Sequence, residues 1–373
     1  MQYTEYELGE LLPFEQPTAY IVKSTDYSDA CATPVLTAGK SFILGKTNET
    51  DGIFDQLPVI IFDDFTTATQ FVNFRFKVKS SAMKILHINT DLVIPKYIFY
   101  RLQIIQFDHS THKRYWIQSY SKIKVLIPPL DEQLRIVARI EELFSELDKA
   151  VDTLKTTKEQ LTVYRRTVLK DAFSDFEKKD SIRNLTMVVT SGSRGWAKYY
   201  SNSGALFVRI GNLTHSGIDI DFRDIQHITP PDNAEGVRTR LQPNDVLVSI
   251  TADLGSIGFV SEKVEEAYIN QHIALVRFQN PVQGRFMAWY LRSEYGQKDL
   301  LKNKRGGGKL GLGLDDIRDT PVPIVDDVTA KETVDKIEEQ LSVCNSIEKT
   351  VDTALTQADA MRQSILKQMF NIL

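Results

Sequence analysis

Residues 123–173 and 317–370 carry much the same pattern twice, and this internal repeat constrains the chain more than any single residue does. The first copy reads Ile123-Lys-Val-Leu-Ile127-Pro128-Pro129-Leu130 and ends Arg165-Arg-Thr-Val-Leu-Lys-Asp-Ala-Phe173. The second reads Ile317-Arg-Asp-Thr-Pro321-Val-Pro323-Ile324 and ends Arg362-Gln-Ser-Ile-Leu-Lys-Gln-Met-Phe370. Between these ends, Val151-Asp152-Thr153 is echoed by Val351-Asp352-Thr353. Each copy follows a longer segment rich in strand-like runs and turns. A chain ordered globule, long helix, globule, long helix is a spacer device for two similar heads.

The helices follow from apolar spacing. Ile136, Ile140, Leu143, Leu147, Val151, Leu154, Leu161 and Val168 keep mostly to steps of three, four or seven. Val334, Ile337, Leu341, Cys344, Ile347, Val351, Leu355, Ala358, Met361, Ile365 and Met369 do so in the second copy. A stripe sustained over several heptads predicts a helix that buries a narrow seam against another helix. The nearest partner for one seam is the other, with the helices antiparallel; the alternative is that each seam binds a separate protein. Pro128-Pro129 ends the preceding strand, Asp131 is placed to cap the first helix, and Thr329 with Glu332 spells a capping box for the second.

The globular segments read as mixed α/β. Strands are predicted at 59–62, 71–78, 206–210, 246–250 and 273–278, and short helices at 95–105 and 285–295. At 373 residues the chain has length for two hydrophobic cores. The first residues lack a basic start and an apolar core, and no run is long enough to span a membrane, so the expected location is cytoplasmic. Cys31 and Cys344 form no metal spacing and read as reduced thiols. The formal charge of −4 argues weakly against nucleic acid, but acids crowd the helices while basic clusters sit in the globular parts.

Catalytic and metal signatures are missing from the sequence. Gly39-Lys40 through Gly45-Lys46-Thr47 has five residues between the glycines where a phosphate-cradling loop needs four, so a turn is expected. The six histidines have no metal-binding spacing. Asp63-Asp64 ends an apolar run with no acidic-x-lysine partner nearby, which reads as a turn at a strand end. The chain is therefore expected not to be an enzyme, and to hold no metal or cofactor.

What remains suits a grip on nucleic acid. The run 302–309 (Lys302, Asn303, Lys304, Arg305, Gly306, Gly307, Gly308, Lys309) is basic and glycine-rich, so amides and cations can face phosphates together. His112-Lys113-Arg114-Tyr115-Trp116 occupies the matching place in the first half. Ser193, Arg194, Lys198, Arg209 and Asn212 add side chains able to reach base edges, where Arg favours guanine and Asn adenine. Lys40, Lys46, Thr47 and Asn48 offer the same in the first half. Any one of these also reads as a solvated loop residue; the repetition favours a surface.

Ile127-Pro-Pro-Leu130-Asp-Glu-Gln133-Leu-Arg-Ile136, its degenerate repeat at Pro321-Val-Pro-Ile324, and two intervening variable segments together resemble the specificity (S) subunit of type I restriction–modification systems over essentially the whole chain. Thr33-Pro-Val-Leu-Thr-Ala-Gly39, Phe207-Val-Arg-Ile-Gly211-Asn212-Leu and Asn244-Asp245-Val-Leu-Val-Ser249 also look like the family. The second copy lacks the Pro-Pro pair and the Asp-Glu-Gln start, which predicts a less regular junction.

The resemblance implies two target-recognition domains, 1–127 and 175–325, separated by long spacer helices, 128–174 and 326–373, packed as a pseudo-twofold antiparallel coiled coil. It implies that each domain reads one half of a split double-stranded DNA target and that the helices set the gap. Methyltransferase (M) subunits and a restriction/translocase (R) subunit would be the protein partners. S-adenosylmethionine, Mg and ATP would then sit on those partners and not on this chain. Two rivals stay open: a scaffold whose heads bind only proteins, and a related system in which one partner polypeptide both methylates and cleaves.

Overall fold

The computed structural model describes residues 3–37, 41–109, 114–302, 304 and 310–371. The chain divides into two compact units, Met1–Leu154 with Thr353–Leu373, and Lys155–Asp352. Both long helices are continuous, Leu130–Ala172 and Asp327–Asn371, so each unit holds one head and part of each helix.

In the first unit a four-stranded antiparallel sheet runs in the order Phe14–Glu15, Met83–His87, Val59–Asp63, Thr69–Val72. Val59–Asp63 is central and wholly buried, as its β-branched and aromatic side chains require. A smaller sheet places Thr33–Leu36 between Ile43–Thr47, antiparallel, and Lys77–Val78, parallel. The predicted strand 71–78 is thus two strands, because its first part completes the large sheet and its last part the small one.

The second unit repeats this plan. Its large sheet runs Thr186–Ser191, Ile273–Phe278, Val246–Ser249, Ile257–Phe259. In the small sheet Ala205–Val208 lies between Gln226–Ile228, antiparallel, and Ala267–Ile269, parallel, and Tyr200–Ser201 extends the edge. The predicted helix 285–295 is two helices, Gly284–Arg292 and Glu294–Leu300, divided where Ser293 accepts the Gly296 N–H at 3.3 Å and so caps the second. The helix predicted at 95–105 ends at Leu102.

A two-stranded ribbon joins each head to its long helix. Thr4–Glu7 pairs with Lys124–Ile127, and Lys179–Ser181 pairs with Pro321–Pro323. The second ribbon tolerates its prolines because the flanking bonds, Ile182 N–H to Thr320 and Ile324 N–H to Lys178, fall on even-numbered positions. Pro321 and Pro323 occupy the alternate places, whose N–H would point away from the partner strand. The helix starts differ from expectation. Asp131 lies inside the first turn beside Glu132, where a carboxylate suits the helix dipole, and does not cap it. The second helix begins before Thr329, and Asp326 caps it by accepting the Thr329 N–H at 2.8 Å, so the Thr329–Glu332 box is not used.

The long helices pack antiparallel within each unit. In the first, Ile136, Val137 and Ile140 share a core with Leu366 and Phe370. In the second, Val168 joins Ala330, Val334, Ile337 and Leu341, and Arg165 pairs with Glu348 at 2.7 Å. Of the expected seam, Ile347 and Met361 lie on exposed faces, while Leu366, absent from the predicted stripe, is buried. Among the described residues no helix is long and apolar enough to cross a membrane.

Candidate nucleic-acid interface

Strand direction brings the loops of each head to one rim. In the second unit Ser249 pairs with Ile273 and Ser191 with Ala274, so strands 186–191 and 246–249 end where 273–278 begins. Val208 lies beside Ile269 in parallel, and only residues 270–272 separate the end of that strand from Ile273. Loops 192–198, 209–217, 250–256 and 270–272 therefore share one edge. The first unit has the same arrangement: Asp63 pairs with Met83 and Leu36 with Val78, bringing together the loops after residues 36, 63 and 78.

A hairpin tip stands at each rim, held by the segment that carries the basic run. In the first unit the tip follows Asp63, whose Oδ1 accepts the N–H groups of Phe65 and Thr66 at 2.9 and 3.3 Å. His109 bonds Thr67 Oγ1 at 2.9 Å and the Thr66 carbonyl at 3.1 Å. On the other side Tyr115 N–H donates to the Asp64 carbonyl at 3.0 Å. In the second unit Leu312 N–H donates to the Ile250 carbonyl at 2.9 Å, and Thr251 bridges Gly311. The described residues flanking the basic runs, His109 and Tyr115 in one unit and Gly311 and Leu312 in the other, are thus bonded to a rim hairpin. Lys113, Arg305, Gly307 and Lys309 themselves lie outside the described residues, as does Lys40; Lys304, at the start of the second run, is exposed.

The remaining predicted residues separate into three groups. Arg114, Arg194 and Lys198 are exposed at the rims, with Lys198 Nζ 4.8 Å over the Tyr199 ring. Ser193 also sits there, clamped: its N–H donates to Glu235 at 3.0 Å and its hydroxyl accepts from Arg238 at 2.8 Å. The second group is structural. Tyr115 and Trp116 are buried in the first core, Trp116 packing on Phe62 and Tyr120, so the structure removes them from the surface. Asn212 is buried with its amide spent: Oδ1 accepts the Arg209 N–H, and Nδ2 donates to the carbonyls of Asp221 and Asp224. Arg209 is half-buried and donates to the Asp224 carbonyl at 3.1 Å. The third group is misplaced for this rim. Thr47 pairs with Thr33, so Lys46, Thr47 and Asn48 lie at the opposite end of the small sheet from Leu36, and Thr47 is buried.

The structure adds residues at the tips. Ala252 and Thr67 both adopt positive φ, 59° and 58°, a conformation that non-glycine residues seldom take and that often marks a working loop. Asp253 on the second tip accepts from His215 Nε2 at 2.7 Å and from Ser256 Oγ at 3.1 Å. The hydrogen bond from His215, and after it that from Ser256, holds the Asp253 carboxyl below its usual range against the opposing effect of burial. Phe65, on the first tip, is 49% exposed. Among the described residues no group of three or more His, Cys, Asp or Glu side chains is arranged to hold a metal ion.

This duplicated, helix-linked α/β fold is shared with solved structures. One, described as the structural basis of complex assembly and conformational transition of the type I R-M system, matches with TM-score 0.71 and 15% identity over 99% of this chain and 97% of that one. The HsdS subunit from Thermoanaerobacter tengcongensis matches with TM-score 0.55 and 16% identity over 99% and 96%.

Curated relatives carry the same name that the sequence motifs resemble. The Escherichia coli type I restriction enzyme EcoR124I/EcoR124II specificity subunit is 49% identical over 147 residues, 38% of this chain and 36% of that one. The StySPI specificity subunit of Salmonella potsdam is 26% identical over 276 residues, 68% and 58% of the two chains. The resemblance to type I specificity subunits therefore holds in both sequence and fold, although the matches span well under two thirds of the relatives' length. No family model matches the chain.

Proposed function

We propose that this chain is the DNA sequence-specificity subunit of a type I restriction–modification complex. It reads a two-part target with a fixed gap and docks methyltransferase and restriction subunits. The observation that carries this reading is the duplication of the rim: two heads of one topology, each with a hairpin tip bonded by residues that flank a basic run in the sequence. Residues 1–127 and 175–325 are the recognition domains in this reading, and 128–174 and 326–373 the spacer helices. The chain performs no chemistry itself; S-adenosylmethionine, Mg and ATP belong to the partner subunits.

The basic runs supply salt-dependent affinity through phosphate contacts, and the tips face base edges. Replacing Arg305 and Lys309 together with alanine is expected to weaken binding by the second head and to lower the salt slope by about two contacts. Unchanged affinity and slope would remove that run from the interface. The decisive experiment is a base-resolution methylation map of cells carrying this chain and a methyltransferase partner, against cells lacking only this chain. A new two-part methylated motif is expected. Its absence, with the partner expressed and bound, would leave a protein scaffold without DNA contact.

A further inference from the structure

The tip Thr251–Gly255 is built to hold one carboxylate rigidly at the rim. Ser249 and Ser256 are buried beneath it; Ser256 N–H donates to Ser249 Oγ at 2.8 Å, and Ser249 Oγ donates to the Asp253 carbonyl. Gln297 Nε2 donates to the Gly255 carbonyl at 2.8 Å, and Gly255 has φ of 82° with no room for a Cβ against the Gln297 amide. Ala252 holds a positive φ one residue before Asp253. All of this fixes the backbone, while the Asp253 side chain is 56% exposed and its polar partners among the described residues are His215 and Ser256.

A carboxylate facing a phosphate-rich ligand is unfavourable unless it is matched to a donor. In the major groove two amino groups can donate to a carboxylate, cytosine N4 and adenine N6, and adenine sets its N7 acceptor directly beside N6, so cytosine is the better match. The adjoining guanine oxygen and nitrogen, and thymine O4, present only acceptors, which a carboxylate rejects.

We propose that Asp253 reads a cytosine in the half-site of the second head by accepting a hydrogen bond from its N4 amino group, with His215 as the positioning residue that orients the carboxylate. This rests on the DNA-reading function proposed above. Asp253→Asn is nearly isosteric and exchanges one acceptor for a donor, a pattern that matches adenine N6 and N7.

The test uses the full chain with its methyltransferase partner and duplexes whose first half-site is kept while the second is randomised. Wild type is expected to enrich cytosine at one position. Asp253→Asn should lower that preference about tenfold or more, toward adenine or toward no preference, with every other position unchanged. His215→Gln should weaken the preference at that same position only. Binding to these duplexes over duplexes with the first half-site scrambled reports folding, so a variant that loses it is replaced by Asp253→Ala, read in the same way. An unchanged cytosine in Asp253→Asn, or changes scattered over several positions, would overturn the proposal. A wild-type protein that selects no two-part sequence would instead refute the underlying reading of the function.

Discussion

On the same two strands of the large sheet each unit buries a charge pair, but at opposite ends. In the first, Asp64 follows the central strand and meets Lys84 at 3.2 Å, at the rim; both side chains are at most 2% exposed. Asp64 also accepts the Trp116 N–H at 2.8 Å, so this pair anchors the segment that carries the basic run. In the second, Asp245 precedes the central strand and meets Arg277 through two 2.7 Å bonds, far from the rim, and Arg277 is 19% exposed. Burial pushes the Asp245 carboxyl up, against the pull of Arg277. On these two strands the pair thus supports the rim in one copy and the far end of the sheet in the other.

The largest expected effect breaks this contrast directly. Asp64→Ala leaves the Lys84 ammonium buried without a carboxylate and should destabilise the first unit by about 3–5 kcal/mol in denaturant unfolding. Asp245→Ala should cost less, because Arg277 reaches water. The functional readouts should divide as well: the Asp64 variant weakens selection of the first half-site, and the Asp245 variant leaves selection of the second intact. Equal losses in stability, or a changed second half-site, would show that the ends of the strands are not distinct in role.

A second contrast lies at the helix junctions. Gln133 is fully buried; its Oε1 accepts the Ile94 N–H at 2.7 Å, and its Nε2 donates to the carbonyls of Leu92 and Pro128 at 3.0 and 2.9 Å. The second unit ties the equivalent loop from the other side, with Asn280 and Gln283 donating to Asp327 at 2.6 and 3.2 Å in more exposed places. Gln133→Ala strands three backbone groups, one buried and two part-buried, and should destabilise the first unit by about 2–3 kcal/mol. Asn280→Ala should lower the stability of the second by about 1 kcal/mol, since it also caps a short turn through Val282 N–H. Thermal unfolding of each variant would sharpen or erase the difference.

The junctions also show what the sequence made legible. The Pro-Pro pair and the apolar stripes locate both long helices, because period and breaker residues are local signals. The strands at 59–62, 246–250 and 273–278 were visible for the same reason. The rim was not. That Lys46 and Thr47 lie at the far end of the small sheet depends on strand direction, which no local run encodes. Asn212 and Trp116 looked like reading side chains because residue type says nothing of burial; their amide and indole are committed to the loop and the core. Asp253 gave no signal beyond a short polar stretch between two apolar strands, and its pairing with His215 spans 38 residues.

The smallest effect tests how far the duplication extends. Lys96 and Arg285 each occupy the second position of the helix packed beside a long helix, and each pairs with a glutamate eleven residues into that long helix, Glu141 and Glu338. One turn on, Tyr100 and Trp289 reach the same carboxylates, Trp289 Nε1 donating to Glu338 at 3.0 Å, and Glu141 helps raise the Tyr100 hydroxyl's pKa, after burial as the larger cause. The ion pairs are half-exposed and should contribute less than about 1 kcal/mol each. Trp289 is nearly buried, so Glu338→Ala also strands an indole N–H and should cost about 1 kcal/mol more than Glu141→Ala. Salt separates the two contributions: at high ionic strength the Glu141→Ala difference should vanish, whereas part of the Glu338→Ala difference should persist, because the buried indole contact is screened less than the ion pair. A Glu338 effect that disappears with salt as completely as that of Glu141 would make the two copies equivalent here and remove the indole from the account.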